Sequence, residues 1–232
     1  MRFHRFYLTN TKIGNSKELN IDSSALVNQI SKVFRLGPED KIILFDGSGN
    51  DYTCSIVNIS KNNIQLKVDE VVPSRYIPQN KIFLFQSLIK KDKFEWIVEK
   101  ATELGVTDIV PIVSERSEKK GLNLERLNKI AIEASEQSGR GTVPNIHPII
   151  GLNEVFESII DPERVVAFHT DDNQTALSQN LSIEGIFIGP EGGWSSKEID
   201  LFHKSKIKVF SLGKQVLRAE TAAVVALSKI LI

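Results

Sequence analysis

Three short segments in the last third of the chain carry the residues best suited to chemistry. Residues 188–195 hold three glycines within the five positions from 189 to 193. Glycine tolerates positive φ and lets backbone N–H groups come close to a ligand. The glycine spacing differs from the GxGxxG pattern that binds dinucleotides. The segment therefore indicates a loop that holds another kind of ligand, or else a tight turn before a helix.

The other two segments add titratable side chains. In residues 212–222, Glu220 falls in the first turn of a predicted helix, where a carboxylate interacts favourably with the helix dipole. In residues 167–172, His169 stands at the end of a predicted strand. Plainer explanations remain open, namely cap chemistry for Glu220 and a structural or surface role for His169. Ser195 and Glu198 have capping-box spacing, which predicts a helix directly after the glycine segment.

An alternation of strands and helices positions these segments. Short apolar runs predict strands, and apolar residues at helical spacing predict helices that end at Gly105 and Gly139. Such alternation is typical of an α/β domain with a mostly parallel sheet, whose ligands bind beyond the carboxyl ends of the strands. The three segments follow three of these strands. The predicted strands are 82–88, 107–113, 164–169, 185–189 and 208–213, and the last helix is 219–232.

The first part of the chain has a different texture. Residues 41–68 read as three strands, with turns at residues 46–50 and at residues 62–63, and one short helix is expected in residues 23–36. Two prolines in residues 73–80 favour a connector over a helix or strand. We therefore predict a β-rich domain in residues 1–72, a linker in 73–80 and an α/β domain in 81–232.

Composition excludes several classes of protein. Lys and Arg total 29 and Asp and Glu total 29, so the formal net charge is zero. The chain therefore lacks the excess of positive charge that is typical of proteins that bind nucleic acids broadly. Cys54 is the one cysteine, which rules out an internal disulfide and a thiolate zinc site; we expect it to be packed, and we expect no metal. No apolar run is long enough to cross a bilayer and no secretory signal is visible, so we expect a cytoplasmic protein.

Several motifs, in this order along nearly the whole chain, resemble the RsmE family of SPOUT methyltransferases, which methylate N3 of a uridine in 16S ribosomal RNA. The first half of the chain contributes residues 2–8, 33–36 leading to Asp40, and 93–105. The second half contributes residues 136–140, 188–193 and 212–222.

The resemblance implies a PUA-like, RNA-binding β-barrel in residues 1–72 and a SPOUT domain with a deep trefoil knot in residues 81–232. It also implies S-adenosylmethionine as cofactor, a homodimer, and 16S rRNA in the assembled small ribosomal subunit as partner. Carried over residue by residue, the cofactor would be bound by Phe168, His169, Ile188, Gly189, Pro190, Glu191, Gly192, Gly193, Leu212, Gly213 and Leu217.

Methylation of N3 requires a proton acceptor and close alignment of the base with the methyl group. Glu220, Glu191 and His169 have suitable side chains; residue type does not choose among them, and we favour Glu220. Arg218 has the charge to stabilise a developing negative charge on a uracil carbonyl or to hold a phosphate, and a surface cation is the alternative. For RNA binding we expect phosphate contacts from Arg2, Arg5, Arg35, Lys90 (with Lys91) and Arg140.

Two rival functions stay in view. A non-enzymatic RNA-binding protein with a degenerate methyltransferase-like domain is one, although the intact glycines count against it. A Rossmann-type methyltransferase or dehydrogenase is the other, but it requires a glycine-rich turn after strand 82–88, and the following residues 89–96 contain no glycine. For Trp96 we expect core packing, with a dimer face as the alternative. Ala222, Ala223 and Ala226 form a small-residue stripe suited to close helix packing.

Overall fold

The computed structural model describes residues 3–118, 121–159, 161–170 and 182–232. Contacts divide the chain into two compact units. The first unit comprises Met1–Ile77 together with Ser135–Val143, and the second comprises Pro78–Ala134 and Pro144–Ile232. The end of helix α3 (Leu124–Ser138) thus belongs to the first unit, although the residues before and after the segment Ser135–Val143 belong to the second.

The first unit contains a five-stranded sheet in its described residues, with the order β1-β3-β4-β5-β2. Strands β1 and β3 are parallel, and the other pairs are antiparallel. The three strands predicted in residues 41–68 are confirmed. The strands are β1 (His4–Tyr7), β2 (Glu18–Ile21), β3 (Lys41–Phe45), β4 (Asn50–Ile59) and β5 (Ile64–Pro73).

The turn between β3 and β4 and the short helix both form where the local sequence predicts them. Gly47 and Gly49 have φ values of 76° and 88°, a conformation that glycine adopts without strain. Helix α1 (Ser24–Asn28) begins after Ser23, whose side chain accepts a hydrogen bond from the Leu26 N–H, and it continues into a π-helical turn, Gln29–Val33. Leu26 and Ile30 are buried in the apolar core of this unit.

The segment Ser135–Val143 completes the first unit through hydrogen bonds to β1 and to Tyr76. The Tyr7 N–H donates to Oε1 of Glu136 at 2.9 Å, and the Gly141 N–H donates to the carbonyl of Tyr76 at 2.9 Å. Gly141 packs so closely that an added Cβ would lie 2.6 Å from the Ser74 side chain. Position 141 therefore has no room for a side chain unless Ser74 moves.

The second unit contains a seven-stranded, all-parallel sheet in its described residues. The order is β12-β10-β11-β6-β7-β8, and β9 also pairs with β7. The predicted alternation of strands and helices is confirmed. The strands are β6 (Phe83–Ser87), β7 (Asp108–Val113), β8 (Asn145–Ile146), β9 (Ile150–Gly151), β10 (Val165–Phe168), β11 (Gly185–Ile188) and β12 (Lys208–Phe210).

Helices cover this sheet. Phe85 and Phe187 pack in one core cluster with residues of α4 and α5, while α6 contacts β11 and packs along α2. Ala223 and Ala226 are fully buried on α6, as the small-residue stripe predicts for close helix packing. The helices are α2 (Lys91–Leu104), α3 (Leu124–Ser138), α4 (Leu152–Ser158), α5 (Ser196–Lys204) and α6 (Ala219–Leu231), with a short 3₁₀ helix at Pro162–Arg164.

Local end signals in this unit are confirmed, but the expectation for Trp96 is wrong. Gly105 ends α2 with φ 112°, and Ser195 and Glu198 form a reciprocal capping box at the start of α5. Trp96 is 40% exposed. Two residues along a helix correspond to a rotation of about 200°, so Trp96 points away from the face that buries Phe94.

Cys54 lies in the apolar core of the first unit. Cys54 is fully buried, as expected, and burial raises the pKa of its thiol to about 12.

None of the helices in the described ranges is long and apolar enough to span a membrane. Within those same ranges, no group of three or more His, Cys, Asp or Glu side chains is arranged to hold a metal ion.

Candidate active site

A cavity of about 320 Å³ lies where three loops follow β10, β11 and β12. Its volume falls at the lower end of the range of about 300–1,000 Å³ usual for small-molecule sites. All eleven residues predicted to bind the cofactor line this cavity, so the sheet brings together segments that are far apart in sequence. They are Phe168, His169, Ile188, Gly189, Pro190, Glu191, Gly192, Gly193, Leu212, Gly213 and Leu217.

Residues 189–193, which we call the glycine loop, have a shape that depends on their glycines. The Gly193 N–H donates to the Pro190 carbonyl at 2.9 Å, and Gly193 has φ 65°. A Cβ at Gly193 would point towards His169, 3.8 Å from Cε1. A Cβ at Gly189 would lie 3.2 Å from the indole ring of Trp194. The loop thus presents bare backbone to its neighbours.

Trp194 fixes the end of the glycine loop, a role that was not predicted from the sequence. It is 3% exposed, and its Nε1–H donates to the Phe168 carbonyl at 2.9 Å, which ties the loop to the end of β10. Its ring also packs against Phe187 and Phe202. An aromatic residue directly after two glycines and before a helix cap was the available signal for such an anchor.

The residues predicted to act on the substrate are placed differently from one another. Glu191 is exposed and lines the cavity. Glu220 is buried, with Oε1 3.3 Å from Nζ of Lys93 on α2, and Arg218 is exposed just before α6. Neither Glu220 nor Arg218 is among the described residues that line the cavity, although Ala219 between them is. The structure therefore brings Glu191, but not these two side chains, to the cavity wall.

The residues predicted to contact RNA include both exposed and enclosed side chains. Arg35 and Lys90 are exposed, and Arg35 has φ 56°. Arg2 lies outside the described residues. The Arg5 side chain is only 8% exposed: it pairs with Asp51 at 2.6 Å, lies over the ring of Phe45, and donates to the carbonyls of Ser135 and Arg140.

Arg140 is even more enclosed than Arg5. It is 1% exposed, its Nε donates to the Thr142 carbonyl at 3.2 Å, and burial lowers the pKa of its guanidinium to about 10. Phosphate contacts by Arg5 and Arg140 are not supported, because both guanidinium groups are enclosed by the protein and held by its own acceptors. Both arginines instead form hydrogen bonds within the first unit, which explains their positions in the motifs as structural.

Comparisons with known proteins agree with this arrangement. An RNA methyltransferase domain family matches residues 76–231, and an RNA methyltransferase PUA domain family matches residues 30–69. The ribosomal RNA small subunit methyltransferase E of Rickettsia conorii is 31% identical, over 99% of this chain and 96% of the relative. The protein of the same name from Bacillus subtilis is 31% identical, over 88% of this chain and 86% of the relative.

A solved structure with the same fold carries a bound ligand. It is a ribosomal RNA small subunit methyltransferase E from Neisseria gonorrhoeae bound to S-adenosyl methionine, with a TM-score of 0.88 and 29% identity, covering 98% of this chain and 96% of that one. The first unit thus contains a PUA-like domain and the second an RNA methyltransferase domain in a mixed α/β fold. Since a relative above 30% identity is matched over nearly its whole length, the chain belongs to the ribosomal RNA small subunit methyltransferase E family.

Proposed function

We propose that this protein transfers a methyl group from S-adenosylmethionine to N3 of a specific uridine in 16S rRNA. The observation that carries the proposal is that all three loops, including the glycine loop, line the same cavity. The related enzyme from Neisseria gonorrhoeae, which shares the fold, was solved with this cofactor. The choice of N3 of uridine rests on the family resemblance.

The residues present fit the cofactor. Phe168, Leu212 and Leu217 give the cavity an apolar lining, while Gly189, Gly192 and Gly193 leave its wall free of side chains at three positions, so that a ligand can approach the backbone there. When bound, S-adenosylmethionine supplies an electrophilic methyl carbon attached to a positively charged sulfur. The work of the chain is then to hold that methyl in line with the base and to exclude water from the cavity.

The proton on N3 needs an acceptor. Glu191 and His169 line the cavity, whereas Glu220, the acceptor favoured from the sequence, does not; of the two we propose Glu191. Its carboxylate belongs to a residue that lines the cavity, whereas Glu220 is held by Lys93 at the start of α6. Arg218, exposed beside the cavity residue Ala219, is proposed to hold a uracil carbonyl or a phosphate. Arg35 and Lys90 remain our proposed contacts to the RNA backbone.

The experiment is methyl transfer in vitro. Small ribosomal subunits from cells lacking this gene are incubated with the protein and S-adenosylmethionine, and 3-methyluridine in the 16S rRNA is measured by mass spectrometry. We expect one new 3-methyluridine with the wild type and a large loss of rate with Glu191→Gln. Binding of RNA with no cofactor affinity and no methylation would instead identify a non-enzymatic RNA-binding protein.

Finer features of the molecule are part of the same proposal. We propose that residues 1–72 close into a β-barrel, that 73–80 link it to a SPOUT domain in 81–232, and that the loops around the cavity form a trefoil knot. We further propose a cytoplasmic homodimer that acts on the assembled small subunit. Sedimentation of the purified protein tests the dimer, and comparison of naked 16S rRNA with intact subunits as substrates tests the subunit requirement.

A further inference from the structure

A short segment after β7 lies against the glycine loop and has no assigned role. Residues 114–117, which we call the brace, form a tight turn. The Ser117 hydroxyl donates to the Ser114 carbonyl at 2.8 Å and accepts from the Ser114 N–H at 3.1 Å. The Ser117 N–H also donates to the Ser114 carbonyl at 3.2 Å. The turn presents Glu115 and Arg116 side by side.

The brace contacts the region after β11 at two points. Nη1 of Arg116 donates to the Gly192 carbonyl at 2.8 Å. The Glu115 N–H donates to Oε1 of Glu198 at 2.8 Å, and the other carboxylate oxygen of Glu198 accepts from the Ser195 N–H at 2.8 Å. The start of α5 is thus fixed through a buried carboxylate, and the glycine loop is fixed through Arg116.

The contact between Arg116 and Gly192 involves more than one hydrogen bond. A Cβ added at Gly192 would lie 3.4 Å from both Cβ and Cδ of Arg116, so the stem of the arginine runs along the Gly192 backbone. Gly192 itself lines the cavity, whereas Arg116 is not among the described residues that do. Arg116 therefore acts on the cavity wall through Gly192.

We propose that Arg116 is a positioning residue that holds the glycine loop in the shape that binds S-adenosylmethionine. This inference rests on the proposed function of the cavity. A loop rich in glycine loses much conformational entropy when it becomes ordered. A hydrogen bond that orders the loop beforehand lowers the entropy that ligand binding has to overcome. Loss of the bond thus weakens cofactor affinity without removing any group that touches the reacting atoms.

The test compares Arg116→Met with Arg116→Lys, because methionine keeps an aliphatic stem and lysine keeps a donor. For Arg116→Met we expect cofactor Kd, measured by calorimetry without RNA, to rise about 3- to 10-fold, as loss of one exposed hydrogen bond predicts. The KM for cofactor should rise in parallel while kcat at saturating cofactor stays near the wild-type value. Arg116→Lys should recover part of the affinity.

The matched control is Arg126→Met, which removes an exposed arginine that pairs with Glu95 elsewhere in the same unit. It should leave the cofactor Kd unchanged. An equal loss in this control would overturn the proposal, since a general effect of charge would explain both. Wild-type cofactor affinity in Arg116→Met, combined with weaker binding of ribosomal subunits, would also overturn it and would make Arg116 an RNA contact.

Hydrogen exchange of the protein without ligand separates this inference from the proposed function. Faster exchange at the Gly193 amide in Arg116→Met, with unchanged exchange in the core strand β11, supports the brace even if the cavity binds a different ligand. Absence of cofactor binding by the wild type would contradict the proposed function alone. Unchanged exchange at Gly193 would contradict the brace.

Discussion

Substitution of Gly193 tests whether the conformation of the glycine loop, and not merely its bulk, governs cofactor binding. At φ 65° an L-residue in the left-handed region costs about 1–2 kcal/mol. A Cβ there meets only Cε1 of His169, at 3.8 Å, which is ordinary contact. Strain therefore dominates over collision. If the free loop relaxes and must be restored on binding, Gly193→Ala should raise the cofactor Kd about 5- to 30-fold.

A series of variants at Gly193 separates strain from size. Asparagine is larger than alanine but tolerates the left-handed region better, and valine tolerates it poorly. We expect cofactor Kd, measured by calorimetry, to increase in the order Gly, Asn, Ala, Val. Gly121→Ala is the control, because its Cβ would meet nothing within 4 Å and Gly121 has no positive φ. Affinity that instead falls with side-chain volume, with Asn weaker than Ala, would refute the reasoning.

Three further predictions concern other parts of the chain. Gly141→Ala should destabilise the protein by about 1–3 kcal/mol in urea unfolding, because the new methyl group would overlap the Ser74 side chain; an unchanged midpoint would contradict this packing. Cys54 should resist iodoacetamide in the folded protein at a pH of about 9, the ordinary pKa of a thiol, since burial raises its pKa to about 12; rapid alkylation without unfolding would be inconsistent with that burial. Arg35→Ala should reduce the slope of log affinity for ribosomal RNA against log salt by about 0.7–0.9, and an identical slope would exclude a phosphate contact there.

Features encoded within a few residues were predictable from the sequence. Gly105 ends α2 and the Ser195–Glu198 box begins α5 because the relevant groups are adjacent in the chain. The meeting of the three loops at one cavity was also predictable. It follows from the rule that loops at the carboxyl ends of parallel strands share one edge of the sheet.

Features that depend on distant partners were not predictable. Arg5 was predicted to contact an RNA phosphate, yet its partner Asp51 is 46 residues away and its acceptor Ser135 is 130 residues away. Charge in a sequence does not reveal whether it will be neutralised by a distant carboxylate. Arg116 gave no signal for the same reason, because its acceptor is a backbone carbonyl 76 residues further along. The prediction that Trp96 packs in the core was wrong because one aromatic residue on a helix does not define which face of the helix is buried.

The discontinuity of the first unit has a consequence for protein synthesis. Arg5 and Tyr7 form hydrogen bonds with residues 135–140, so these bonds become possible only after that stretch has been translated. The 66 residues from 78 to 143 take roughly 3–13 s to make at about 5–20 residues per second. During that interval the nascent amino-terminal chain lacks acceptors that it will later use. A fragment cut at residue 77 would remain in that unfinished state indefinitely.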